Sequence, residues 1–519
     1  MRAADTSGDP TAPTAGPPVG LHPGEPLYIR AVHLPDPRRG DVRRRLAEAV
    51  RATTTHLTPL AVRAARKQPV TDQHTAHALR KIFEDMGGSF TKFGQLLASS
   101  PSLFGEEVAG EFRGLLDAVP PEPWDRVRDT IEDELGWPLA TLFAELDHEP
   151  LAAASLAQVH RAVLPDGRVV AVKVLRPGIE ERMAVDLAVM TPLFGILGRE
   201  VAVGIFGELP SLVAGLAEQL SEEVDLRNEA RTMVFFEHIR AVLGLDNMVV
   251  PQPIEGYTGK RVLAMTFIEG VAIDDLGRLG DLGIDPAPLI QDTVKAWFAS
   301  TICTGAFHGD IHAGNLLVTP DERLAVLDWG IVGRLDPDTQ QFFRRTVEGA
   351  MGDETAWADV FAHMKAIYGP GLQDQLGLTD EQATALVRMQ VEPIFSRPFG
   401  EIRLTDLLAT TESLAQKARE TEPSGSDGVA EGPSGRRGPQ AAVGLWRSER
   451  RRRRELLESG AHGTSFDRGM FLLGKQLVYF DRYGKLFLPD VPILWEREAF
   501  ERLLAEPVHS AEAPVRRRI

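Results

Sequence analysis

The chain has 519 residues, with 57 basic and 74 acidic side chains and a formal charge of −17. A hydrophobic share of 43% and a charged share of 25% exclude a mostly disordered or fibrous protein. The length suffices for about three domains or for one large two-lobed unit with extensions. The acidic balance argues against a general nucleic-acid-binding protein, because contact with phosphate backbones requires a basic surface.

Cysteine content and the apolar segments indicate where the protein acts. Cys303 is the single cysteine, and we predict that it is a small core residue in a reducing compartment. No secretory leader is evident. The most apolar region, residues 187–206, is interrupted by Pro192, Arg199 and Glu200, whereas a membrane span requires about 18 uncharged residues. We therefore expect a cytoplasmic protein, at most bound peripherally to the inner face of a membrane.

The N-terminal part of the chain is predicted to form a disordered leading segment, called the lead, followed by a helical extension. Residues 1–40 are rich in Pro and Gly and are predicted to be disordered. Residues 41–145 return apolar side chains at intervals of three and four, which is typical of helices. This extension contains the segment Ser89–Gln95, directly after two glycines.

Residues 146–269 are predicted to form a β-rich lobe with one long helix. Two short β-rich runs at 160–164 and 168–175 flank Pro165-Asp166-Gly167, which is the composition of a hairpin turn. A helix is predicted from about residue 179 to 243. Further strand-like runs lie at 248–251 and 261–267.

The rest of the chain is mainly helical. Residues 270–420 contain one predicted hairpin, at 315–327, and residues 421–440 form a Gly/Pro/Ser-rich flexible linker. Residues 441–519 are predicted to be a C-terminal helical segment with an Arg-rich start, Arg450–Arg454. The order predicts an α+β, protein kinase-like two-lobed fold with a β-rich N-lobe, a helical C-lobe and a helical N-terminal extension.

Three polar residues of the predicted C-lobe stand in the order that phosphoryl transfer requires. Asp310 and Asn315 lie on one loop, and Asp328 begins an Asp-X-Gly sequence after the next hairpin. A kinase needs one carboxylate that orients the acceptor hydroxyl and two oxygen ligands that hold Mg²⁺ against the nucleotide phosphates. We therefore predict that Asp310 is a catalytic residue, together with Lys173 of the N-lobe, and that Asn315 and Asp328 bind Mg²⁺. His308 and His312 flank Asp310 and are predicted to be structural rather than metal ligands.

Lys173 lies in a predicted strand with alternating apolar residues. A lysine there can reach the α and β phosphates of a nucleotide and pair with a carboxylate of a neighbouring helix. The candidate carboxylates are Glu223, Asp225 and Glu229, of which Asp225 and Glu229 are predicted to share a helix face. The cations available to these acids are Lys173 and Lys92.

An alanine-rich segment stands where a kinase has its glycine-rich phosphate loop. It comprises Ala152, Ala153, Ala154 and Ser155. Glycine lets backbone N–H groups approach phosphates closely, and alanine adds methyl groups and narrows the accessible backbone angles. We expect the segment to hold phosphates with a different geometry.

With Lys92-Phe93-Gly94-Gln95 and the motifs above, the chain resembles the UbiB/AarF family of atypical kinases. The resemblance implies that the KxGQ segment lies over the protein-substrate groove, so that Lys92 and Gln95 occlude it. It also implies that Lys173 pairs with Glu229 and Lys92 with Glu223. The implied ligands are ATP or ADP with Mg²⁺, and the implied role is ATPase or phosphotransferase activity in isoprenoid-quinone or other lipid metabolism.

Two other functions are compatible with these motifs. Asp328-Trp329-Gly330 and His308-Gly309-Asp310 also resemble small-molecule phosphotransferases of the aminoglycoside type, which lack the KxGQ extension. A nucleotide-gated scaffold without turnover is the second alternative. The Arg-rich islands of the C-terminal part, such as Arg450–Arg454, are either solvated segments or sites that attract anionic membrane lipids or a lipid-like small molecule.

Overall fold

A computed structural model describes residues 27, 29–98, 106–112, 115, 120–200, 209–242, 244–368, 378–402, 468–494 and 496–505. The predicted linker 421–440, the Arg450–Arg454 run and most of the predicted lead lie outside the described residues. The helices are α1 (Arg39–Ala65), α2 (Asp72–Met86), α3 (Ser89–Ala98), α4 (Glu106–Phe112), α5 (Trp124–Leu135), α6 (Leu139–Leu142), α7 (Ile179–Glu200), α8 (Leu209–Glu223), α9 (Leu226–Val242), α10 (Leu276–Asp281), α11 (Pro286–Thr304), α12 (Pro337–Ala350), α13 (Ala356–Tyr368), α14 (Asp380–Ser396), α15 (Arg468–Phe487) and α16 (Arg497–Ala505).

The strands form an N-lobe sheet and two smaller C-lobe sheets. They are β1 (Glu145–Leu146), β2 (Ala152–Ala153), β3 (Ala157–Val163), β4 (Val169–Leu175), β5 (Met248–Val249), β6 (Pro253–Thr258), β7 (Val262–Thr266), β8 (Val271–Ala272), β9 (Ala306–His308), β10 (Leu316–Val318), β11 (Leu324–Val326) and β12 (Val332–Arg334). The N-lobe order is β1-β3-β4-β7-β6, with β2 beside β3. The predicted two-lobed α+β architecture with a helical extension is confirmed.

The β3–β4 hairpin places Lys173 on the inner face of the N-lobe sheet. The strands are antiparallel, and their turn uses Gly167 at a φ of +86°, as the turn composition predicted. Side chains alternate between the two faces of a strand. Val172 and Val174 of β4 therefore pack into a small core with α5, whereas Lys173 points to the opposite face, toward the C-lobe.

The small core corrects the predicted boundary between the extension and the N-lobe. Val127 and Ile131 of α5 and Leu142 of α6 are fully buried against the sheet. An amphipathic helix needs an apolar partner surface, and the outer face of the sheet supplies it. The predicted boundary at residue 145 cuts through this packing unit, so the N-lobe begins near residue 124.

The predicted long helix from 179 to 243 is wrong, because α7, α8 and α9 are separate helices. Asp225 lies between α8 and α9, and its carboxylate accepts a hydrogen bond from the backbone N–H of Arg227 at 3.1 Å. A carboxylate in this position caps the start of a helix. The prediction that Asp225 and Glu229 share one helix face is therefore wrong, because Asp225 precedes the helix that contains Glu229.

The C-lobe is built around α11, which is buried along most of its length. Trp297 of α11 contacts the rings of Phe307, Phe343 and Phe480. Phe480 belongs to α15, so the described part of the C-terminal segment is integral to the C-lobe core rather than separate from it. Cys303 is buried in α11, which confirms its predicted place in the core. None of the helices in the described ranges combines the length and the apolar character that crossing a bilayer requires.

Candidate phosphotransfer site

Lys173 lies at the centre of the site and contacts two carboxylates. Its ammonium lies 2.8 Å from an oxygen of Glu229, in the first turn of α9, and 3.1 Å from Oδ2 of Asp328. The Lys173–Glu229 pair that the resemblance implied is therefore present. The backbone N–H of Trp329 also donates to Glu229, which ties the helix to the segment that carries Asp328.

The three charges shift one another's pKa values strongly. Burial lowers the pKa of Lys173, but Asp328 and Glu229 outweigh burial and raise it above its ordinary range. Partial burial raises the pKa of Asp328, but Lys173 and the Gly330 N–H group bring it well below its usual value. Burial raises the pKa of Glu229, and the adjacent negative charge of Asp328 raises it further. Lys173 opposes both effects, and the resulting pKa is about 7. The pKa of Asp328 is therefore well below that of Glu229.

His308 holds the loop that carries Asp310 against the Asp-X-Gly segment. Its Nδ1 accepts a hydrogen bond from the Asp310 N–H at 3.0 Å, and its Nε2 donates to the carbonyl oxygen of Asp328 at 2.6 Å. Burial lowers the pKa of His308, which agrees with a neutral ring that both donates and accepts. The predicted structural role of His308 is confirmed.

Asn315 and Asp328 are adjacent across the base of the β10–β11 hairpin. The Leu327 N–H donates to the Asn315 carbonyl at 2.9 Å, and the Asn315 side chain contacts the Asp310 carbonyl at 3.4 Å. Asp328 keeps 45% of its side chain exposed, so an ion can reach it. One carboxylate and one amide oxygen suit Mg²⁺, which retains waters and takes further oxygens from phosphates. No cluster of three or more His, Cys, Asp or Glu suited to a metal ion occurs in the described part of the chain.

The KxGQ segment forms α3 and contacts the N-lobe through Lys92. The Lys92 ammonium lies 3.2 Å from Glu223, which also accepts a hydrogen bond from Gln219. The implied Lys92–Glu223 pair is therefore present. Gln95 is half-buried and follows Lys92 by three residues, so the two lie on the same side of α3. Asp225 pairs instead with Arg227, whose guanidinium contacts both carboxylate oxygens.

Close packing around Gly94 explains why α3 carries a glycine at this position. A Cβ atom at Gly94 would lie 3.1 Å from side-chain atoms of Phe83 and Phe112 and would clash with Leu115. We expect Gly94→Ala to lower the free energy of unfolding by about 1–3 kcal/mol, the usual cost of overpacking a core. Chemical denaturation tests this. Gly474→Ala is the control, because a Cβ at Gly474 of α15 meets open space; equal stability of the two variants would contradict the packing argument.

The alanine-rich segment folds back onto β3. Ala152 and Ala153 form β2, and the Ala154 N–H donates to the Ala157 carbonyl at 2.9 Å. Arg176, at the end of β4, donates to the Ala154 carbonyl at 2.8 Å, and Ser155 is buried. The segment is therefore a closed turn held at its base, and its contact with phosphates stays a prediction.

Helix α15 brings to the site residues that no sequence motif predicted. The Lys475 ammonium lies 2.7 Å from Asp310 Oδ1, and Gln476 accepts a hydrogen bond from the Ile311 N–H at 2.9 Å. Glu222 of α8 binds Arg334 of β12 and Arg468 of α15, at 2.6 Å each. The scarcity of lysine was an available signal: of ten lysines in the chain, Lys92, Lys173 and Lys475 reach this site.

Among solved structures, the chain is similar to the Mycobacterium tuberculosis protein Rv3197 in its complex with erythromycin. The TM-score is 0.41 at 21% sequence identity, over 79% of this chain and 94% of that chain. Among UbiB proteins, the chain is 33% identical to the probable protein kinase UbiB of Marinobacter nauticus, over 62% of this chain and 58% of that protein.

Longer matches extend over most of the chain. The chain is 32% identical to an uncharacterized protein of Mycobacterium tuberculosis, over 85% of this chain and 81% of that protein. It is also 32% identical to a protein of Arabidopsis thaliana described as an uncharacterized, chloroplastic aarF domain-containing protein kinase, over 81% of this chain and 73% of that protein. Residues 114–358 match the ABC1 atypical kinase-like domain. The chain therefore belongs to the UbiB/AarF family of atypical kinases.

Proposed function

We propose that this protein binds ATP or ADP with Mg²⁺ and either hydrolyses ATP or transfers its γ-phosphoryl group to a small or lipid-like acceptor. The observation that carries the proposal is the contact of one lysine, Lys173, with both Glu229 and Asp328. This is the arrangement that protein kinases use to place nucleotide phosphates beside a metal-binding aspartate.

Each residue has a distinct task in this reaction. Lys173 binds the α and β phosphates, Asn315 and Asp328 would hold Mg²⁺, and Asp310 orients the acceptor hydroxyl or water. A bond forms between the acceptor oxygen and the γ-phosphorus, the bond to the bridging oxygen breaks, and ADP leaves. The acceptor proton passes to solvent or to the transferred phosphate. The bound ion would neutralise charge on the β and γ phosphates.

The KxGQ helix favours a small acceptor over a protein. The pair between Lys92 and Glu223 ties α3 to α8, next to the site. The positive charge of Lys92 interacts with both Asp310 and Asp328 and helps to lower their pKa values. A helix in this position leaves less room for an extended peptide than an open groove does. The Asp310 side chain remains 21% exposed, which is compatible with access by water or by a flexible lipid-like molecule.

We also propose that the protein works at the inner face of a membrane, in isoprenoid-quinone or other lipid metabolism. The family membership and the basic islands in an acidic chain support this part of the proposal. Basic residues near an anionic bilayer contribute about 1 kcal/mol each to binding.

The test is phosphate release from Mg²⁺–ATP by the purified protein, with and without anionic liposomes. We expect release that increases with liposomes and that falls at least about a hundredfold in Asp328→Asn, because a metal-binding charge is lost. Asp321→Asn is the matched control, since Asp321 lies in the exposed turn of the β10–β11 hairpin.

Two outcomes would favour other functions. Nucleotide binding with no turnover under any condition would support a nucleotide-gated scaffold. Stoichiometric consumption of ATP with a soluble acceptor, without any effect of liposomes, would support a small-molecule phosphotransferase of the aminoglycoside type.

A further inference from the structure

The C-terminal helix α15 contacts the catalytic loop through two consecutive side chains. Lys475 binds the carboxylate of Asp310, and Gln476 accepts a hydrogen bond from the backbone N–H of the next loop residue, Ile311. Gln476 is fully buried, and the Lys475 side chain is 11% exposed. The position of the Lys475 ammonium is therefore held by the packing of α15 and is not that of a loose surface side chain.

The cation lies at the acceptor end of the site. Asp310 is the residue that faces the acceptor and the γ-phosphate in a kinase-like arrangement, whereas Lys173 lies at the α and β phosphates. His312 lies 3.9 Å from the other oxygen of Asp310. An ammonium group has three N–H donors, and the bond to Asp310 uses one of them. Lys475 is thus placed to bind Asp310 and a phosphoryl oxygen at the same time.

Phosphoryl transfer needs positive charge at this end of the site. The transferred group carries charge on three equatorial oxygens, and fixed cations beside it lower the barrier. Lys475 is a fixed cation on the acceptor side of the two predicted metal ligands. Its ion pair with Asp310 also keeps that carboxylate anionic, because Lys475 outweighs the effect of burial and lowers the pKa of Asp310.

We propose that Lys475 is a catalytic residue whose ammonium binds the γ-phosphate of ATP and the phosphoryl group during transfer. The proposal rests on the proposed function and adds a residue outside the kinase-like domain match, which ends at residue 358. It has a consequence for ligand choice: ATP gains a contact that ADP cannot make. We therefore expect Lys475 to strengthen the binding of ATP relative to that of ADP.

The test compares Lys475→Met with Lys485→Met in the full-length protein. Lys485 lies on the same helix and pairs with Asp481 on the surface. Calorimetry would measure the affinity for Mg²⁺–ADP and for a non-hydrolysable Mg²⁺–ATP analogue, beside phosphate release and the melting temperature. We expect Lys475→Met to lower the affinity for the ATP analogue about tenfold and to change the affinity for ADP by less than about twofold. The variant should also lower kcat about a hundredfold. Lys475→Arg should keep part of the preference for ATP.

The outcomes separate this inference from the proposed function. If Lys475→Met lowers the affinity for both nucleotides equally and also lowers the melting temperature, Lys475 only anchors α15 to the loop. If the affinities and kcat are unchanged, the Lys475–Asp310 ion pair has no role in binding or catalysis. Either result would overturn the inference and leave the proposed function intact. A wild-type protein that binds neither nucleotide would overturn the proposed function, and this inference with it.

Discussion

Lys173→Met is expected to lower ATP turnover about a thousandfold, because it removes both a phosphate contact and the cation shared by Glu229 and Asp328. The loss should appear mainly in kcat, since the phosphates are no longer held in line with the acceptor. Steady-state phosphate release measures it. Lys260→Met is the control, because Lys260 forms a comparable ion pair with Glu180 at a more exposed position of the N-lobe.

The same variant is expected to have a stability that depends on pH. Glu229 already has a pKa of about 7, and the loss of Lys173 raises it further. The folded variant therefore keeps a proton that the unfolded chain releases above its ordinary Glu pKa. A group with a raised folded-state pKa stabilises the fold at low pH and loses that contribution as pH rises through the folded pKa. The melting temperature of Lys173→Met, relative to wild type, should fall as the pH rises above about 7, the pKa of Glu229 when Lys173 is present.

Lys260→Met provides the matched comparison for this pH dependence as well. Its difference in melting temperature from wild type should be nearly constant across the same range, since its partner is partly solvated. A pH-independent deficit in Lys173→Met would contradict the assignment of Glu229 as the group that takes up the proton.

Glu222→Gln is expected to be the most destabilising of the conservative changes at the lobe interface. Glu222 is 5% exposed and binds Arg334 with one oxygen and Arg468 with the other. Loss of the carboxylate leaves two partly buried guanidinium groups without their shared anion. Breaking a buried pair in this way costs about 3 kcal/mol of unfolding free energy. Chemical denaturation of the full-length protein measures it.

The control for this change is Glu218→Gln, because Glu218 is an exposed residue of the same helix, α8. We expect Glu218→Gln to change stability by less than about 0.5 kcal/mol. Glu222→Gln should also reduce turnover, since Arg468 is the first residue of the helix that carries Lys475. Unchanged stability in Glu222→Gln would show that the two arginines find other partners.

Short-range motifs in the sequence were sufficient to find much of the candidate site. Asp310, Asn315 and Asp328 lie within 19 consecutive residues around one hairpin, so their proximity follows from local turn chemistry. The sequence also placed Lys173 in a strand, and in the structure it faces away from its valine neighbours, because side chains alternate between the two faces of a strand. The pairing with Glu229 came from the family resemblance, because the periodic pattern alone did not choose among the acids.

The errors lie where packing overrides periodicity. The apolar pattern of residues 179–243 continues across Asp225. The structure shows that α8 ends before Asp225 and that the Asp225 carboxylate caps the start of α9. The amphipathic pattern of α5 is the same whether the helix joins the extension or the N-lobe sheet. The surface against which α5 packs decides to which unit the helix belongs, and strands that follow later in the chain supply that surface.

The sequence alone determined the fold class, the hairpins and the order of the chemical groups, because these depend on neighbours a few residues apart. Only the tertiary structure showed that Lys475 reaches Asp310 from 165 residues away and that Arg468 reaches Glu222 from 246 residues away. A lysine on a helix has the same local pattern whether its ammonium is solvated or paired at a site. Its role is set by which surface the helix packs against, and that is a property of the whole core.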